Sequence, residues 1–94
     1  MVKEKFNIYA DVLGRILEDF GLDEEALFRS NEADSVQARQ VLVVVLAKKG
    51  LSDKDIAELT HKLRRCSVCY IRNHYDAGRA HWMVKKCIEM LTKN

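Results

Sequence analysis

Ninety-four residues, 48% of them hydrophobic and 32% charged with a formal net charge of +2, make one domain long enough to bury a core without metal or disulfide staples. No run of about 18 apolar residues and no signal-peptide pattern follow Met1, so neither a membrane span nor a secretory leader is expected, and three cysteines, which cannot all pair, fit a reducing cytoplasmic setting. The total charge is too small to argue for nucleic acid, but residues 1–60 carry eight Lys/Arg against twelve Asp/Glu whereas residues 61–94 carry eight against two, which makes the C-terminal third the candidate surface for an anionic partner.

The chain reads as helical throughout: it has no proline, and Gly21, Gly50 and Gly78 fall where apolar periodicities stop. Tyr9, Val12, Leu13, Ile16, Leu17 and Phe20 share one face of a first helix that ends at Gly21. Asp23 is placed to cap a short second helix through Phe28. After a loop from Arg29 to Asp34, the Val-rich segment Val41 to Val45 suits a buried strand, yet Asp34 or Ser35 reads as an N-cap, Lys48 and Lys49 fill the last turn and Gly50 stops it. This predicts a helix apolar on nearly all sides, around which the others pack.

Ser52 and Asp55 then form a capping box, with Leu51 and Ile56 as its hydrophobic staple, for a helix running to about Thr60. A turn over 61–64 leads into a helix from near Arg65 to about Asp76. The final helix is predicted from Arg79 to Thr92, burying Ala80, Met83, Val84, Cys87, Ile88 and Leu91. The fold class implied is all-α, a compact bundle of five to six helices containing a helix-turn-helix.

Turning the helix that starts at Arg65 by 100° per residue sends Val68, Ile71 and Tyr75 to the core. Cys66, Cys69, Tyr70 and Asn73 lie on the opposite ridge. An asparagine such as Asn73 can pair bidentately with adenine, Tyr70 can donate to phosphate or pack on a sugar, and Lys62, Arg64 and Arg65 flank the helix start for backbone or guanine contacts. The segment 62–72 holds four cations and no acid. A solvated basic face without a ligand is the plain alternative.

The order Ala38-Arg39-Gln40, apolar helix, Gly50-Leu51-Ser52-Asp53-Lys54-Asp55-Ile56 and then an Arg-rich turn opening Ser67-Val68 resembles the C-terminal duplex-binding domain of the bacterial replication initiator DnaA, a Trp-repressor-like helix-turn-helix. The resemblance spans about Phe6 to Leu91. It implies a non-enzymatic module that binds double-stranded DNA, with no cofactor, no metal and no nucleotide-hydrolysing domain. It also implies that Arg39 and Gln40 lie near the DNA backbone and that Ser67 stands for a threonine of the reader helix.

The departures fall at the contact positions. Where the family turn reads Gly-Gly-Arg-Asp-His-Thr-Thr-Val, this chain has His61-Lys62-Leu63-Arg64-Arg65-Cys66-Ser67-Val68. The missing glycines imply a different turn, the capping aspartate has become Arg64, and the base-reading His-Thr pair has become Arg65-Cys66. The family's basic minor-groove loop aligns with Arg29 to Asp34, which is acidic apart from Arg29. An altered or weak sequence preference is therefore expected. The alternative is a protein-interaction domain that kept the fold and lost DNA, for which Glu32, Asp34 and Trp82 speak.

Three other features remain. Cys66-Ser67-Val68-Cys69 is a Cys-x-x-Cys, but the second pair that a structural zinc needs is missing, and the Cys66 to Arg72 spacing that matches a phosphatase loop lacks its glycines. Cys66, in the first turn of a helix beside Arg64 and Arg65, is a candidate reactive thiol, expected to alkylate faster than Cys87 on its buried stripe. Trp82 points away from the stripe of the last helix. Either the N-terminal segment around Phe6 covers it, or it anchors a protein partner or self-association.

Overall fold

The computed structural model describes residues 2–76 and 78–92, which form six helices and no strand: α1 (Val2–Phe20), α2 (Glu24–Arg29), α3 (Ala33–Lys48), α4 (Asp53–Thr60), α5 (Arg65–His74) and α6 (Trp82–Thr92). The apolar face of α1 buries Tyr9, Val12, Leu13 and Ile16. Gly21, at φ +64°, turns the chain out of it while Leu22 donates its N–H to the Leu17 carbonyl at 3.0 Å. Asp23 caps α2 as its sequence suggests, accepting the Ala26 N–H at 2.7 Å.

Helix α3 is the centre of the bundle and packs against α1, α2, α4, α5 and α6. Ala38 and every residue from Val41 to Leu46 are buried. A valine run is tolerated in a helix here because its intrinsic helix penalty, under about 0.7 kcal/mol per residue, is small beside the about 1.5–3 kcal/mol that full burial of each side chain contributes. No described helix is long and apolar enough to cross a membrane.

Three boundaries differ from expectation. Helix α3 starts at Ala33, with Glu32 as an N-cap that makes no side-chain bond, and not at an Asp34 or Ser35 cap. Ser35 lies inside the first turn, buried, its hydroxyl without a partner. The entry is instead fixed from outside the helix. Ser30 Oγ accepts the Glu32 N–H at 3.1 Å, and the Arg39 guanidinium donates to the carbonyls of Ser30 and Ser35. Helix α5 stops at His74 because Tyr75 takes extended backbone with its ring packed on the core. Helix α6 starts at Trp82, three residues late, because Asp76 gathers the intervening turn: its carbonyl accepts from Arg79 and Ala80 and its carboxylate from Gly78. His81 then stands before the helix, its Nδ1 accepting the Met83 N–H at 3.2 Å.

The Phe6 cover for Trp82 is not found. Trp82 is 67% exposed and Phe6 54% exposed, because α1 packs chiefly on α3 with Tyr9, Val12, Leu13 and Ile16 facing inward.

Candidate nucleic-acid interface

Helix α4 is anchored before it begins. Ser52 Oγ accepts the Asp55 N–H and Asp55 Oδ2 accepts the Ser52 N–H, both at 3.1 Å, completing the capping box. Lys5 on α1 donates to the same Oδ2 at 3.0 Å. These bonds from Lys5 and Ser52 hold the Asp55 carboxyl down from 3.8 to about 2. Leu51 and Ile56, both buried, form the staple.

The turn that follows is organised by Thr60 and His61. The buried Thr60 hydroxyl donates to the Ala57 carbonyl and accepts the Leu63 N–H, each at 3.3 Å. His61 has left-handed backbone, φ 57°, and its N–H closes the end of α4 on the Ala57 carbonyl. His61 aligns with the first glycine of the resembled turn, so a histidine here adopts the conformation for which glycine is suited.

Helix α5 begins quite differently. Its N-cap, Arg64, is extended and offers no side-chain acceptor to the first-turn amides, and no acidic residue stands in that turn. The free N–H groups and the positive end of the helix dipole are thus flanked by Lys62, Arg64 and Arg65, all exposed. Among the described residues none of these three cations forms an ion pair. Arg72 does. Its Nε and Nη2 grip the two oxygens of Asp53 on α4 at 2.8 and 2.9 Å, which lowers the Asp53 carboxyl below its ordinary range. The basic segment therefore offers three available cations, not four.

The outward ridge of α5 carries Cys66, Tyr70 and Asn73, all exposed, while Val68 is buried and Ile71 and Tyr75 are half-buried as expected. Cys69 is half-buried beside that ridge. Asn73 Nδ2 donates to Cys69 Sγ at 3.2 Å, leaving its carbonyl oxygen unengaged. Tyr70, 63% exposed, stacks on His74 with ring centroids 3.9 Å apart, and His74 Nδ1 sits 2.8 Å from the Tyr70 carbonyl. His74 is not among the contact residues expected from the sequence, although its four-residue spacing from Tyr70 on a helix carries the signal.

Between α5 and the first half of α3 runs an open groove of about 630 Å³, floored by Val36, Leu63 and Ile71. Arg39, Gln40, Ser67 and Tyr70 line it, so four expected contact residues from two helices converge there. Lys62, Arg64, Arg65 and Asn73 lie outside the groove, along the turn and the ridge. Arg39 has a structural task in addition, since its guanidinium pins the loop before α3. Among the described residues no three His, Cys, Asp or Glu side chains are placed to hold a metal ion.

No protein-family model matches the chain, and no curated protein or solved structure compared with it matches either.

Proposed function

We propose that this chain is a non-enzymatic helix-turn-helix module that binds double-stranded DNA, similar in plan to the duplex-binding domain of the replication initiator and differing from it in sequence preference. The observation that carries the reading is the start of α5: an uncapped helix end, fringed by Lys62, Arg64 and Arg65 without intramolecular ion pairs, next to the exposed ridge of Tyr70 and Asn73. A phosphate satisfies open helix amides and pairs with such cations at once. Tyr70 and Asn73 would meet sugar and base edges, with Asn73 presenting its free carbonyl as well as its amide. Gln40, Ser67 and the remaining N–H groups of Arg39 would meet backbone along the groove.

A titration of labelled mixed-sequence duplex by fluorescence anisotropy tests this. Lys62, Arg64 and Arg65 at the helix start together with Arg39 in the groove predict a log K against log salt slope of about −3.6, or about a 150-fold loss between about 50 and about 200 mM salt. No binding at the lower salt eliminates the DNA reading. The second reading, a protein-interaction domain, is favoured by the exposed Trp82, and its partner surface would then be α6 and not α5.

A further inference from the structure

The motif Cys66-x-x-Cys69 has no role in the reading above, beyond Cys66 lying on the exposed ridge. The two residues lie three apart in the first turns of α5. Helix geometry places their Cα atoms about 5 Å apart, inside the range of roughly 4.4–6.8 Å that a disulfide requires. Their side chains are neighbours on one flank of the helix. The first turn can adjust the sulfurs at small cost, because the amides of Arg65, Cys66 and Ser67 hold no helical bond that movement would break.

The surroundings of the two sulfurs differ in the way an attacking and a resolving thiol require. Cys66 is exposed beside Arg65, at the positive end of the helix dipole. Cys69 is half-buried, and its sulfur accepts from Asn73 Nδ2 at 3.2 Å, with the Arg72 guanidinium at 4.0 Å. Both donors point at Cys69 from the α5 side while Asp53 lies across from it, paired with the same Arg72. Cys87 is buried in the core, where burial first, and then Asp19, push its thiol up against the opposing effect of Lys86. Cys87 belongs to no such arrangement.

We propose that Cys66 and Cys69 form a reversible dithiol/disulfide site, with Cys66 the attacking and Cys69 the resolving residue. With hydrogen peroxide as oxidant, the Cys66 sulfur attacks one peroxide oxygen and the O–O bond breaks, giving Cys66 sulfenic acid and one water. The Cys69 sulfur then attacks the Cys66 sulfur, the S–O bond breaks, and the hydroxyl leaves with the Cys69 proton as a second water. Two thiols have lost two electrons and two protons to one peroxide. A dithiol reductant reverses the bridge by exchange. On the DNA reading, on which this consequence alone rests, the bridge ties the sulfur that positions Asn73 and tightens the turn that carries Arg65, so oxidation weakens duplex binding.

The test uses the full chain and its Cys69→Ser and Cys87→Ser variants. Each is treated with stoichiometric peroxide or graded glutathione redox buffer, trapped with an alkylating agent after denaturation, and weighed intact and after digestion. The expected wild-type product is a monomer in which Cys66 and Cys69 become unavailable together and Cys87 still alkylates, restored by dithiothreitol. Cys69→Ser should yield instead a Cys66 mixed disulfide with glutathione, and Cys87→Ser should behave as wild type. A wild type that gives the same Cys66 mixed disulfide as Cys69→Ser, a Cys66-linked dimer, or no paired loss of thiols overturns the proposal. Duplex titration of reduced and bridged protein is a separate reading: if the reduced protein binds no duplex, the DNA reading falls while the thiol result stands on its mass.

Discussion

Two helix starts that follow each other in this chain are built in opposite ways. Helix α4 opens on Ser52 and Asp55, which satisfy each other's backbone, with Lys5 brought in from α1 to neutralise the carboxylate. Helix α5 opens on Arg64, which offers its amides no side-chain acceptor, with the exposed Lys62 and Arg65 on either side of it. The first start is complete within the fold. The second leaves donors and positive charge directed at solvent, an arrangement that lowers stability unless an anion from outside completes it. On the proposed reading the contrast divides stability and binding between adjacent elements: α4 and its cap hold the unit, and α5 leaves its end open for an anion.

The largest expected effects separate the two starts by what they change. Replacing Arg65 by Ala should reduce duplex affinity by about 1–3 kcal/mol if it reads a base and leave stability within about 0.5 kcal/mol, as is usual for exposed side chains. Anisotropy and urea unfolding on the same preparation check both halves. Ser52→Ala should do the reverse, with stability falling by about 0.5–2 kcal/mol and the duplex affinity of the folded protein unchanged. An Arg65→Ala protein that loses stability and not affinity would erase the distinction between the two starts.

A smaller effect follows from acid. Asp55 is held from 3.8 down to about 2 in the folded chain, so its carboxylate contributes stability that is fully present above about pH 4 and is lost as the pH falls toward about 2. The difference in urea midpoint between wild type and Asp55→Asn should therefore be largest above about pH 5 and shrink through that window. A difference independent of pH would mean that the Lys5 and Ser52 bonds do not favour the ionised form.

How much of this was legible in the sequence depends on how local each cause is. The α4 start could be read because Ser52, Asp55, Leu51 and Ile56 act within six residues. The register of α5 was legible for the same reason, since Val68 and Tyr70 follow from rotation alone. The start of α3 is not legible locally, because Asp34 and Ser35 have the chemistry of caps while the actual restraint comes from Ser30 and from Arg39 reaching back nine residues to it. Arg72 reads as an available cation within its own segment, because its partner, Asp53, lies 19 residues away on another helix. The groove between α3 and α5 depends on how two helices cross. No spacing within either helix reports that.

The division between a closed and an open helix start is tested most directly by giving α5 the cap it lacks. Arg64→Ser supplies a hydroxyl at the N-cap able to accept a first-turn amide and removes one cation. Urea unfolding and duplex titration should then move in opposite directions, with stability rising by about 0.5–2 kcal/mol while affinity falls and the salt slope loses about one unit. A variant that gains stability and binds duplex with unchanged affinity and slope would contradict the assignment of the α5 start as the anion-binding end.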